Sequence, residues 1–307
     1  TGAVASTVNL NSNLLGTASL DWIRYAVANS GTLTGINCTG ATTTTTISIQ
    51  SNNIRGITYS VAGSGANTYI NITGATATNV IATVASNLFT NLNVNTTGAI
   101  IFISHGYAIP STGQLIFNNN SIVTAYSRGG ATGSVILTSS NSTSGTGSIN
   151  NYTNNNFSNI TVTGTTTITG FNNTDGGAGS TKTITGNTFN NWTGGTGTIN
   201  TMNFSYWNGV SSLSNNTITN ITNQGTLTGV TIGSSTNNAT SIAVANNTIS
   251  NLSSTGTGGT VIGISCSNTS TVININNNTI TALSSTGSSS TVSGVSIGGA
   301  ATTNIFK

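Results

Sequence analysis

Acid–base chemistry in this chain has few residues to draw on: the carboxylates Asp21 and Asp175, the imidazole His105, and the bases Arg24, Arg55, Arg128, Lys182 and Lys307. Two carboxylates cleave glycosidic bonds when they stand roughly 5 to 9.5 Å apart. A lone imidazole acts as a base or metal ligand only with partners. His105, in Ser104-His105-Gly106-Tyr107, has no second His and no acid nearby in sequence, so its expected place is a loop or turn. Ser is abundant, but no Gly-x-Ser-x-Gly elbow has a His and an acid to serve it. Charged residues make up 2% of the 307 positions, against about 25% in an ordinary soluble domain. A catalytic pocket gathers several titratable groups, a Ca²⁺ cage needs several acids, and a nucleic-acid surface needs clustered Lys and Arg. None of these supplies is present, so no catalytic residue, metal or cofactor is expected. The net charge of +3 is a remainder between small numbers rather than a basic patch.

What must position these groups is a repeat. Asn215-Asn216-Thr217-Ile218 returns as Asn246-Asn247-Thr248-Ile249 and as Asn277-Asn278-Thr279-Ile280, each step being 31 residues. Followed backwards with drift, the frame has an apolar anchor at Leu15, Ile54, Phe89, Ile122, Phe157, Phe189, Ile218, Ile249 and Ile280. Two residues before each stands Asn: Asn13, Asn52, Asn87, Asn120, Asn155, Asn187, Asn216, Asn247 and Asn278. Five before stands a further apolar or aromatic residue, from Leu10 to Ile275. Loops that vary while walls do not are the mark of a solenoid.

Inward residues of one strand are separated by even numbers, so apolar columns at minus five, zero and plus three require corners between them. One is expected at the Asn pair and one just after the anchor, at Asn91, Asn159, Asn191, Asn220 and Asn251, because Asn enters the left-handed region more readily than other non-glycine residues. Corner amides stacked at about 4.8 Å can each donate to one neighbour and accept from the other. A second block, Leu33-Thr34-Gly35-Ile36-Asn37-Cys38, matches residues 227–232, 261–266 and 292–297, and there Cys38 and Cys266 take the place of Ile. Lying seven anchors apart, they are too distant to form a disulfide with each other. With 38 Gly, abundant Ser, Thr and Asn and a hydrophobic share of 35%, the expected architecture is all-β. It is a parallel β-helix of about nine to ten coils of roughly 31–35 residues, a single domain over 1–307 with an irregular first coil at 1–32. The segment Leu20–Ala26 stays undecided between helix and strand.

The Asn-Asn-Thr-Ile units and the Gly-Val-Thr-Ile blocks together resemble the right-handed parallel β-helix proteins, and more narrowly the Ser/Thr/Asn-rich cell-surface proteins of the Bacteroidota, commonly cargo of type IX secretion. The resemblance implies a right-handed solenoid, secretion, and a place outside the cell or on its surface. The first functional expectation is a non-catalytic structural protein of a fibre, stalk or adhesin that associates with itself, since the sequence ends mid-repeat at Phe306 and shows no capping helix. A second is ice or carbohydrate binding by outward hydroxyl files, Thr217 and Thr219, Thr248 and Ser250, Thr279 and Thr281. A third is polysaccharide cleavage, but Asp21 and Asp175 fall four anchors apart, on the order of 20 Å along the axis. Sequons such as Asn71-Ile72-Thr73, Asn141-Ser142-Thr143 and Asn238-Ala239-Thr240 read as by-products of composition. Trp22, Trp192 and Trp207 are candidates for stacking sugars, with Trp192 falling in the plus-three core column. No run approaches the roughly 18 apolar residues of a membrane helix.

Overall fold

The computed structural model describes residues 7–17, 21–39, 46–73, 81–141, 143–177, 179–233, 238–298 and 303–306. Those residues form 32 strands and no helix. Three long sheets of 10, 11 and 9 strands run the length of the solenoid, with a small fourth sheet of two strands. We call them by their place in the turn: the first sheet before the ladder Asn, the second carrying the anchor, and the third carrying the Leu33–Cys38 block. Each turn passes through first, second and third sheet and returns one strand further along, as Ile149–Thr153, Ile160–Thr161, Thr167–Asn173 and then Thr181–Thr185 do. Neighbouring turns pair in parallel, residue on homologous residue, as in Phe117↔Tyr152↔Ile184. The undecided segment contributes a short strand, Ile23–Tyr25, paired with Ile57–Tyr59.

The solenoid makes about eight turns, fewer than the nine to ten expected. Nine anchors bound only eight complete circuits, and Thr7–Asn9 and Thr303–Phe306 add strands to the first sheet alone. Inside, the anchors Ile54, Phe89, Ile122, Phe157, Phe189, Ile218, Ile249 are buried, while the outermost, Leu15 and Ile280, are half-buried. Bulky rungs fill the middle turns: Phe102 meets Tyr69, Phe89 and Tyr126 edge-on at 4.9 to 5.1 Å between ring centres.

Both corners are visible in the backbone. The residue before each ladder Asn holds φ between 52° and 69°, for example Ser51, Asn119, Gly186 and Asn246. The second corner falls on Asn91, Asn159, Asn191, Asn220 and Asn251, with φ from 52° to 62°. Corner amides also link neighbours, Asn251 Nδ2 donating to Asn220 Oδ1 at 3.0 Å and Asn220 Nδ2 to Asn190 Oδ1 at 2.9 Å. A Cβ in this region costs about 1 kcal/mol when no side-chain amide offsets it. Asn220→Ala is therefore expected to unfold at lower urea than Asn220→Gly, by about 1 kcal/mol, since both lose the amide but only glycine relieves the backbone. Equal midpoints would remove the strain argument, and Ala282, which holds φ 52° two turns on in the same stack, marks where that strain is already borne.

Candidate functional site

The ladder Asn residues form an unbroken line. Asn13, Asn52, Asn87, Asn120, Asn155, Asn187, Asn216 and Asn247 each donate Nδ2–H to the Oδ1 of the next, at 2.8 to 3.0 Å, ending on Asn278. The same Oδ1 accepts the main-chain N–H of the preceding ladder residue, as Asn187 does from Asn155 at 3.0 Å. The second Nδ2 hydrogen reaches back to the first sheet, as Asn155 does to the carbonyl of Phe117 at 3.0 Å. Only a side chain with both an amide donor and a carbonyl acceptor on a short stem can fill all these roles.

The titratable residues are placed otherwise than the sequence suggested. His105 is neither loop nor turn: it ends the strand Ile100–His105 and is fully buried. It is the third member of an inward column in the third sheet, Cys38, Ile72, His105, Ser140, Asn173, Phe204, Ile232, Cys266, Ile297. Three successive turns of this apolar column are polar. Across the corner, the first-sheet column Ile47, Ala82, Leu115, Asn150, Lys182 turns polar in the adjoining turns, and Ser211 continues it by accepting the Lys182 main-chain N–H at 3.1 Å. Asp175 stands between the columns, carried by a loop whose Gly176–Gly177 strand pairs with Thr143–Ser144.

The result is a sealed polar knot centred on Asp175. Its Oδ1 accepts from Ser140 Oγ at 2.8 Å, and its Oδ2 from Ser144 Oγ at 3.1 Å, Asn150 Nδ2 at 3.1 Å and Asn173 Nδ2 at 3.0 Å. Asn173 turns its Oδ1 to Lys182 Nζ, 2.6 Å away, and Lys182 also donates to Ser180 Oγ at 3.2 Å. The ammonium lies 5.9 Å from the centre of the Trp207 ring. Asp175, Lys182, His105, Ser140, Asn173 and Asn150 expose no surface. The acid that His105 lacks in sequence thus reaches it in space through Ser140, which lies 3.2 Å from Nδ1. Because the Ser140 hydrogen points at Asp175, the neutral imidazole must carry its proton on Nδ1, leaving Nε2 bare and without a partner. The order His–Ser–Asp with the serine hydrogen on the carboxylate differs from a nucleophile triad, in which the base accepts the serine proton. Asp21 is exposed and far from this knot in the turn order, so the two carboxylates are not brought together.

Burial governs the electrostatics. It pushes the His105 imidazole down to about 4, with Asp175 opposing, and Lys182 down to about 8, again opposed by Asp175. It raises the phenols of Tyr107 and Tyr152. Arg128 is also interior: its Nε donates to Thr96 O at 3.0 Å, Nη1 to Thr166 Oγ1 at 3.1 Å and Nη2 to Gly98 O at 2.8 Å. These bonds pin three turns together. Among the described residues no three His, Cys, Asp or Glu side chains come together, and no helix is long and apolar enough to cross a membrane.

A pH dependence follows for His105. Between pH about 4 and 6.5 the unfolded imidazole binds a proton that the folded one refuses. Stability therefore rises with pH across that window, by at most about 3 kcal/mol, and is lost again on acidification. Ser140 links the ring to Asp175, while Tyr107 and Phe117 present uncharged rings to it. His105→Phe, matching Phe204 in the same column, is expected to flatten the slope between pH 4.5 and 6.5. An unchanged slope in urea titrations of this variant would show that another group carries it.

On the outside, a groove of about 500 Å³ runs over the second corner from Asn191–Thr193 to Ala282–Ser284. Its floor carries the file Thr193, Thr222, Ser253, Ser284, in register from turn to turn. The files Thr217, Thr248, Thr279 and Thr219, Ser250, Thr281 are also in register on the outer face. Thr217, Thr219 and Ser250 are half-buried and Thr248, Thr279 and Thr281 exposed, and Thr219 Oγ1 is engaged with Asn190 Oδ1 at 3.1 Å. Of the tryptophans, Trp192 and Trp207 are buried, and Trp192 Nε1 donates to Phe157 O at 2.7 Å; Trp22 is half-buried. Both cysteines are buried and free of disulfides.

Sequence reasoning missed the knot because it aligned only four of the third-sheet blocks. Placing the intervening turns in the same register sets His105, Ser140 and Asn173 in one column and Asn150, Lys182 in the facing one, a signal present in the letters. Comparison with protein families, with curated proteins and with solved structures finds no match to the chain.

Proposed function

We propose that this chain is a non-catalytic structural solenoid that works outside the cell, as part of a surface fibre, stalk or adhesin built by stacking coil on coil. The observation that carries the reading is where the reactive groups lie: Asp175, Lys182 and His105 expose none of their surface and Arg128 2%. A substrate reaches none of them, while Asp175 and Arg128 hold neighbouring turns together. The half-buried Ile280, Leu283, Val295 and Ile297 offer a further coil the contacts that bury Ile249, Leu252, Ile264 and Cys266 one turn earlier. Kinship with the Ser/Thr/Asn-rich surface proteins of the Bacteroidota rests on the Asn-Asn-Thr-Ile units and is part of the proposal.

Negative-stain electron microscopy across a concentration series tests it. Axially associated rods are expected; dispersed single particles at every concentration would remove self-association.

The outer groove favours a second reading, binding of a neutral carbohydrate polymer, because its Thr and Ser files repeat at the strand spacing of about 4.8 Å and carry no charge. Retention on insoluble polysaccharides, lost on Thr222→Leu with Ser253→Leu, is the expected result if this reading holds. Thermal hysteresis that vanishes in Thr248→Leu would point to ice instead.

A further inference from the structure

The contact between Lys182 and Asn173 has the makings of a covalent bond. Nζ lies 2.6 Å from Asn173 Oδ1, and a carbonyl bond is 1.23 Å long, so Nζ stands at most about 3.8 Å from Cγ. Reacting atoms need to come within roughly 3 to 3.5 Å. The orientation of the amide is fixed by its partners, since Lys can only donate and must face Oδ1. Nδ2, the leaving nitrogen, therefore faces Asp175 Oδ2 at 3.0 Å and Tyr152 OH at 3.0 Å. All four side chains are fully buried or nearly so, and water that would compete for the amide is kept out.

We propose that Lys182 and Asn173 join in an intramolecular isopeptide bond, formed without an external enzyme, with Asp175 carrying the protons. Lys182 passes one ammonium proton to the Asp175 carboxylate across the Asn173 amide that hydrogen-bonds both, and the freed Nζ attacks Cγ of Asn173 to form the new C–N bond. Asp175 returns its proton to Nδ2, the Cγ–Nδ2 bond breaks and ammonia leaves. The surplus proton on Nζ passes through the same carboxylate to the ammonia. One ammonium and one primary amide become one secondary amide and one ammonium ion, so no oxidant, reductant or cofactor is consumed. Burial, which brings Lys182 down to about 8, leaves about a tenth of it as free amine at pH 7.

The bond would close the corner between the third and first sheets across the strands Thr167–Asn173 and Thr181–Thr185.

Intact-mass spectrometry of the folded wild-type protein tests the proposal. The expected mass is lower than that of the sequence by one ammonia. After denaturation, cleavage before Asp175 is expected to leave the two flanking peptides joined, and trypsin to leave the Lys182–Thr183 bond uncut. Lys182→Met and Asp175→Asn, which remove the nucleophile and the proton carrier, are each expected to show the full mass of their own sequence. Wild-type protein with its full mass and Lys182 cut by trypsin overturns the proposal. So does a mass short by one ammonia in which trypsin still cuts at Lys182, the signature of a succinimide at an asparagine.

Discussion

Asp175→Ala is expected to lower the unfolding free energy by about 5 kcal/mol, among the largest effects of any single substitution in this chain. The carboxylate is the common acceptor for Ser140, Ser144, Asn150 and Asn173. Removing it orphans buried donors at about 1 to 3 kcal/mol each where they find no substitute. The serine hydroxyls can rotate and Asn173 keeps Tyr152 OH, so the full sum is not reached. Asp175→Asn should cost less, about 2 to 3 kcal/mol. Its oxygen still accepts, so part of the donor set keeps a partner. Guanidinium unfolding of the two variants checks the order. An alanine variant within 1 kcal/mol of wild type would mean that Asp175 does not organise the interior.

Asn155→Ala is the second large effect, about 3 to 4 kcal/mol. Asn155 accepts from the main-chain N–H and the Nδ2 of Asn120, both at 3.0 Å, and donates to Phe117 O at 3.0 Å and Asn187 Oδ1 at 2.9 Å. Four buried bonds go at once, each with a net value of roughly 0.5 to 1.5 kcal/mol. No water reaches the site to replace them, because Asn155 is 1% exposed. Asn13, at the start of the line, is exposed and lies outside that enclosure, with Asn52 as its ladder partner. Asn13→Ala should cost less than about 1 kcal/mol. Equal losses at the two positions would contradict a cooperative line whose worth depends on burial.

The walls were legible because they repeat. An anchor, an Asn two residues before it and an apolar residue five before it recur through every turn, since each ladder amide needs a copy above and below it. The second corners were legible for the same reason, as Asn91 to Asn251 meet a backbone requirement that few residues satisfy. The knot escaped because it breaks the repeat: His105, Ser140 and Asn173 differ from one another and from the Cys, Ile and Phe of the same column, yet satisfy each other across turns. A column read for hydrophobicity registers such residues as drift. The scarcity of charge has a sharper meaning in the structure. Asp175, Lys182 and Arg128 are spent inside, leaving Asp21 and Arg24 as the exposed pair among the described residues and Arg55 half-buried. Outward files of like charge about 4.8 Å apart would repel along the axis.

Carbodiimide labelling of carboxyl groups, read by peptide mass spectrometry, tests most directly whether the acid has been placed in the interior rather than at a working surface. Both side-chain carboxylates, Asp21 and Asp175, are scored in one experiment. In the native protein Asp21 is expected to react and Asp175 to remain unmodified until denaturant is added. Labelling of Asp175 in the folded state at a rate comparable to Asp21 would contradict the account.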